Sequence, residues 1–165
     1  MRMDAPARSR RLVLASALGL ALGACSSLRP PSTAQAAWSG RLSLAVRTEP
    51  AQNFSAGFEL RGNARLGELM LNTPLGTTLA QASWTPRGAQ LHSAQQVRSF
   101  ASMEELTEQL TGAALPLNAL FDWLQGLPAE VPGWQADLSQ HAQGRLSARR
   151  SSPAPLVELR LILDR

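Results

Sequence analysis

The hydrophobic rhythm of the chain changes twice along its length. From Trp38 to His92 apolar residues recur at every second position. Leu42, Leu44 and Val46 alternate with Arg41, Ser43, Ala45 and Arg47, and Phe54, Ala56, Phe58 and Leu60 alternate with Ser55, Gly57 and Glu59. A period of two places alternate side chains on opposite faces of a strand. Arg61-Gly62-Asn63-Ala64 reads as a hairpin turn, Arg65 to Leu71 and Thr77 to Trp84 as the next strands, and Thr85-Pro86-Arg87-Gly88 as a turn into Ala89 to His92. The prediction is an antiparallel meander with one apolar face.

From Ser102 the period lengthens. Ser102 with Glu105 three residues on fits a capping box; Met103, Leu106 and Leu110 share one side of the helix it starts, and Thr111-Gly112 ends it. A second helix is expected from Leu117 to Gln125, with Leu117, Leu120, Phe121 and Leu124 as its stripe and Gly126 as its stop. Gln135 to Leu138 and Gly144 to Arg149 read as short strands. After Ser151-Ser152-Pro153-Ala154-Pro155 a last strand places Val157, Leu159, Leu161 and Leu163 on one face. Strands, two helices and strands again predict an α+β fold, an antiparallel sheet curled around a helical pair. Such a one-sided sheet can enclose a hydrophobic cavity, for which Leu44, Phe54, Phe58 and Leu120 are the candidate lining. The alternative is that these four pack on each other as ordinary core.

One stretch breaks the pattern. Leu69-Met70-Leu71 and Leu79-Ala80 flank Asn72-Thr73-Pro74-Leu75-Gly76-Thr77. Pro fixes φ, Gly permits positive φ, and Asn suits a turn start, so this is a strand–loop–strand connection. Its tip carries a large apolar side chain, Leu75, where a polar residue is usual. Either Leu75 folds back onto the core, or a rigid loop offers it to something apolar outside the protein.

The N-terminus favours the second reading. Arg2, Arg8, Arg10 and Arg11 precede an apolar run from Leu12 to Leu22, the make-up of a signal peptide and too short to span a bilayer. The run ends in Leu22-Gly23-Ala24-Cys25, the lipobox of a bacterial lipoprotein, with the chain's one cysteine in the acceptor position. A thiol sulfur can take a diacylglyceryl group, and the small residues before it admit a peptidase. Residues 1–24 are therefore read as leader, 25–37 as a Pro/Ser/Ala-rich tether, and 38–165 as the folded domain. Ser26, in place of aspartate, favours the outer membrane.

Cleavage also changes the charge. The 16 cations, all arginine, against 12 acids in the full chain become 12 against 11 once the leader is gone. No basic stripe interleaved with aromatic residues points to nucleic acid. No cofactor is expected beyond the lipid on Cys25, and no metal site. The sequence has no Gly-x-Ser-x-Gly elbow and no His-Glu-x-x-His, and Glu104 and Glu105 are explained by helix capping, so an enzyme is not expected. His92 and His141 read as surface residues.

Taken in order, the lipobox, Ser39-Gly40-Arg41-Leu42, Asn72-Thr73-Pro74-Leu75-Gly76, Leu110-Thr111-Gly112, Leu115-Pro116-Leu117-Asn118-Ala119-Leu120 and Trp123-Leu124-Gln125-Gly126-Leu127-Pro128 span residues 22–128. This ordered set resembles the LolB family, outer-membrane receptors that take lipoproteins from a periplasmic carrier. The resemblance implies an incomplete antiparallel barrel lidded by short helices, with a hydrophobic cavity for acyl chains. It matches Leu75, held between Pro74 and Gly76, to the family's loop leucine, which inserts cargo into the membrane. It further implies a LolA-like carrier, lipoprotein acyl chains and outer-membrane lipid as partners of a monomer. After Gly133-Trp134 the chain departs from longer members, which continue into a Tyr-bearing strand; this chain has no tyrosine. A rival reading is a lipid-sensing or scaffolding lipoprotein without transfer activity, which has no evident use for an exposed loop leucine.

Overall fold

The computed structural model describes residues 37–94 and 96–164. The leader, the lipobox with Cys25 and all of the tether except Ala37 lie outside the described residues. Six strands come first: β1 (Ala37–Val46), β2 (Gln52–Gly62), β3 (Gly67–Asn72), β4 (Thr78–Thr85), β5 (Gly88–Ser93) and β6 (Gln96–Phe100). Two helices follow, α1 (Met103–Thr111) and α2 (Leu117–Leu124), then β7 (Trp134–Asp137), β8 (Arg145–Arg150) and β9 (Val157–Leu163). All pairings are antiparallel, in the order β6-β5-β4-β3-β2-β1-β9-β8-β7. β1 thus lies inside the sheet, between β2 and the last strand. β6 and β7 are its two edges, so the sheet is open.

The alternation read from the sequence sets which face carries the core. Leu44 and Val46 on β1, Ala56, Phe58 and Leu60 on β2, and Val157, Leu159 and Leu161 on β9 are all buried. β6 has no counterpart in the expected elements. Register places Gln96, Arg98 and Phe100 toward the core, and two of these three are polar, so the strand carries no apolar alternation to read. Gly40 sits where β9 passes closest: its φ is +152°, and a Cβ there would lie 1.9 Å from the Ile162 carbonyl oxygen.

The helices start and stop as their chemistry dictates. Ser102 Oγ accepts the Glu105 N–H at 3.1 Å, and Glu105 Oε2 accepts the Ala101 N–H at 2.6 Å. Gly112, with φ 74°, closes α1 by donating its N–H to Glu108 O at 2.7 Å. The buried side of α1 differs from expectation. Leu110 stays 42% exposed, whereas Thr107 is buried, its Oγ1 accepting the Leu115 N–H at 3.0 Å. Its neighbour in the fold is the α1–α2 connection, whose backbone amide needs an acceptor that leucine lacks. α2 ends at Leu124, two residues before Gly126, and His141 is half-buried against this terminus, its Nε2 lying 3.0 Å from Leu124 O. His141 is thus a partner of the helix terminus and not a free surface residue; His92 is exposed.

α2 is the centre of the core. Phe121 meets Trp38 of β1 edge-on at 5.5 Å between centroids and Trp84 of β4 at 6.3 Å. β1 and β4 are separated by two strands, so one ring serves distant parts of the sheet, as a concave face allows. Trp123 is 1% exposed and packs on Trp134 of β7 at 6.2 Å. Trp84 also fixes the β2–β3 turn: its Nε1 donates to Asn63 O at 2.9 Å. A Cβ on Gly67 would fall 2.3 Å from the Trp84 ring.

The core holds one unmatched charge. Arg150 of β8 is 7% exposed, its Nη2 donates to Pro155 O at 3.3 Å, and its Nε has no partner. No carboxylate pairs with it among the described residues. A buried cation without a counter-charge costs more in lost hydration than one carbonyl bond returns. Arg150→Met is therefore expected to stabilise the domain by about 1 kcal/mol or more, read as a higher midpoint in chemical denaturation. A lower midpoint would mean that the Pro155 contact outweighs the desolvation.

Candidate functional site

The β3–β4 loop is built to hold one side chain outward. Gly76 N–H donates to Thr73 O at 2.9 Å, closing a four-residue turn over Pro74 and Leu75. Thr73 N–H donates to Thr77 O at 2.8 Å, and Thr77 N–H reaches Thr73 Oγ1 at 3.1 Å. Gly76 adopts φ 84°, which a glycine takes without strain. Pro74 limits the first turn residue to one φ. With both ends tied, Leu75 has nothing to fold back onto and is 94% exposed. Of the two readings open from the sequence, the one with the leucine turned outward describes this loop.

Beside the loop the apolar face of the sheet is only partly covered. β2 pairs with β3 from Gly57 to Gly62 only, so its first residues have β1 on one side and no strand on the other. Phe54 lies in that unpaired half and is 39% exposed. Leu44 is its register partner on β1, and Leu71 of β3 is the register partner of Phe58. Every residue of β3 is half-buried, although the strand lies well inside the sheet. The two faces differ in character: Leu69 and Leu71 look toward the core cluster, and Glu68, Met70 and Asn72 look away. The helices therefore leave the end of the apolar face near the loop partly open.

The candidate lining residues separate within this frame. Leu44, Phe54 and Phe58 share one face of the sheet, as their even numbers on β1 and β2 require. Leu44 and Phe58 are 6% and 4% exposed and belong to the packed core. Phe54 stands at the open end, and Leu120 of α2 is half-buried against the core. Leu69, Leu71 and Ala80 are also half-buried against the core and were not singled out as lining from the sequence. Their signal was present: strand pairing with Phe58 and Leu60 forces Leu71 and Leu69 onto the same face.

Comparison with known proteins bears on the same segments. Residues 36–154 match the family model described as "LolB: Outer membrane lipoprotein LolB". The chain belongs to the LolB family. The match takes in the Leu75 loop, both helices and all strands but β9. Among similar proteins is the outer-membrane lipoprotein LolB of Cupriavidus metallidurans, 34% identical, with 88% of this chain and 75% of the relative aligned. That of Cupriavidus pinatubonensis is 36% identical over 85% of this chain and 72% of its own length. That of Bordetella petrii is 29% identical over 92% and 90%. LolB membership gives the exposed leucine a context: these relatives are named as outer-membrane lipoproteins, and a lipid-facing protein can use an apolar tip.

Proposed function

We propose that this LolB-family protein is an outer-membrane lipoprotein receptor, accepting lipoproteins from a periplasmic carrier and inserting them into the outer membrane. The observation that carries the proposal is Leu75, 94% exposed on a loop whose hydrogen bonds prevent its retreat. A lipid sensor or scaffold would need an apolar face but not this tip.

In this reading residues 1–24 are removed and Cys25 carries the diacylglyceryl anchor, facing the periplasm. Residues 25–37 are assigned as the tether between the anchor and the domain. Among the described residues no helix is long and apolar enough to cross a membrane, so attachment is assigned to the lipid. Stable anchoring requires more than one acyl chain, which a lipidated N-terminal cysteine supplies.

The acyl chains of the cargo enter over Phe54, Leu71 and Ala80 at the open end of the apolar face, and Leu120, half-buried on α2, belongs to the proposed lining. Leu44 and Phe58 form the floor. Each buried methylene contributes about 0.8 kcal/mol, so a face that covers a few more methylenes than the carrier's makes the transfer downhill without nucleotide. No resident cofactor takes part, and the protein acts as a monomer.

Phe54 gives a direct test, since it is exposed enough to be changed without emptying the core. Phe54→Glu places a charge where the chains would lie. Carrier-bound lipoprotein with a photoreactive acyl chain should crosslink to wild type and at least tenfold less to the variant. Equal crosslinking would move acyl binding away from this end of the sheet.

A further inference from the structure

The β7 end of the sheet carries an apolar groove and, beside it, the buried charge that the core leaves unmatched. The groove holds about 750 Å³. Pro128, Val131 and Pro132 line it from the segment between α2 and β7, and Trp134, Ala136 and Leu138 from β7 and the residue after it. Two bonds fix its shape. Trp123 Nε1 donates to Ala129 O at 3.2 Å, and the Trp134 N–H donates to Val131 O at 3.0 Å.

Arg150 stands at one end of this groove. It is the register partner of Trp134 on the core face of the sheet, where paired side chains start about 5 Å apart. The Ser151 N–H donates to Gly133 O at 3.0 Å, tying the β8–β9 loop to the Pro132–Trp134 end of the groove. Pro155, whose carbonyl accepts from Arg150 Nη2, belongs to that loop, so the guanidinium points to the rim of the sheet. Residues 151–154 of the loop are exposed. Of the five N–H donors of a guanidinium, one is engaged here, at 3.3 Å, and Nε meets no acceptor among the described residues. No acid compensates the charge. Glu130 borders the groove and Glu49 the β1–β2 connection, both exposed, and neither is ion-paired with Arg150. Glu158 and Asp137 stand on the opposite face, Glu158 3.6 Å from Arg160.

We infer that the groove binds a single-chain amphiphile with an anionic head, its tail along Val131 and Trp134 and its phosphate or carboxylate on Arg150. A buried guanidinium without a counter-charge costs stability, as the expected gain from Arg150→Met expresses, and an anionic ligand supplies the missing partner. Its planar N–H pairs suit carboxylate and phosphate oxygens alike. The 3.3 Å bond to Pro155 O is the one polar restraint to be shared or given up. Charge selects against a neutral or cationic guest. The buried cation acts through a low dielectric, whereas water and salt screen the exposed Glu130. The volume of the groove falls in the range of small-molecule sites. This site is separate from the acyl face proposed above, because Phe54 and the Leu75 loop lie on β2 to β4, on the far side of β1 from β7.

The test is direct binding to the mature chain with Cys25→Ser, so that no attached lipid competes. Dodecyl phosphate and dodecanoate are compared with dodecanol and dodecyltrimethylammonium, all below the concentrations at which they form micelles. With Arg150 in place, both anions should bind about tenfold or more tighter than dodecanol. Arg150→Met should lose that preference and keep its affinity for dodecanol, and its denaturation midpoint shows that it is folded. Arg150→Lys, which restores a cation, should recover part of the preference. Arg149→Gln, which removes a charge from the exposed opposite face, and Glu130→Gln should both leave it in place. Inorganic phosphate alone should bind about tenfold or more weakly than dodecyl phosphate, because it lacks the tail. The tighter of the two anions identifies the head group. Equal affinity for dodecanol and the anions, tightest binding of the cationic amphiphile, or an anion preference that survives Arg150→Met would each overturn the inference. So would inorganic phosphate binding as tightly as dodecyl phosphate, which would make this a site for a free anion. None of these outcomes alters the crosslinking at Phe54, so this inference and the receptor reading fail separately.

Discussion

Leu75→Glu is expected to accept lipoprotein from the carrier and fail to insert it. The side chain contacts nothing in the domain, being 94% exposed, so the substitution should change folding stability by no more than about 0.5 kcal/mol. The turn is kept by the Thr73, Gly76 and Thr77 hydrogen bonds, none of which involves the leucine side chain. What is lost is contact with hydrocarbon. Burying a leucine is worth roughly 1.5–3 kcal/mol, and a carboxylate in its place adds a penalty for entering the membrane interface. At about 1.4 kcal/mol per factor of ten, delivery into outer-membrane vesicles should fall at least tenfold, with acceptance from the carrier unchanged. A labelled lipoprotein followed through both steps separates them. If delivery is normal, the loop has no part in insertion; if acceptance falls equally, Leu75 belongs to carrier docking instead.

Phe121→Ala should bring the domain close to unfolding. The ring is 5% exposed and touches both Trp38 and Trp84, so its loss removes the contact that joins β1, β4 and α2. Truncating a buried phenylalanine costs about 3–5 kcal/mol, a large share of the roughly 5–15 kcal/mol that holds a domain together. The measurement is the midpoint of chemical denaturation followed by tryptophan fluorescence. Leu120→Ala, on the half-buried side of the same helix, should cost clearly less. The pair also probes the proposed acyl face. A long-chain acyl ligand binding the folded state raises its stability, and should do so more in Phe121→Ala, where space for a chain has been opened. A midpoint shift below about 1 kcal/mol for Phe121→Ala would mean that α2 is not the centre of the core.

Much of this fold is legible in the chain because its strands face water on one side. Alternation along β1, β2 and β9 reports burial directly, and turn residues with special backbone needs mark most of the ends. Ser102 and Glu105 announce α1 for a comparable reason: capping is a local interaction between residues three apart. β6 is hidden for the opposite reason. Its inward positions include Gln96 and Arg98, with Arg98 Nη2 donating to Gln109 Oε1 at 3.2 Å, a contact to a different element, α1. His141 escapes notice likewise, since its partner Leu124 O belongs to another element.

The sequence by itself determined the antiparallel meander, the helical pair, the apolar face and the loop with leucine at its tip. Each depends on periodicity, turn chemistry or capping, which act over a few residues. The tertiary structure alone decided that β1 is flanked by β9, that Phe121 joins Trp38 to Trp84, and that Arg150 is buried without a counter-charge. It also decided how far each candidate lining residue is covered, leaving Phe54 open and closing Leu44 and Phe58. It brought Arg41 into one row with Arg145 and Ile162, each more than a hundred positions further along the chain. Strand order and helix placement set these outcomes, and both follow from which distant surfaces exclude water together, a property that no short stretch of sequence carries.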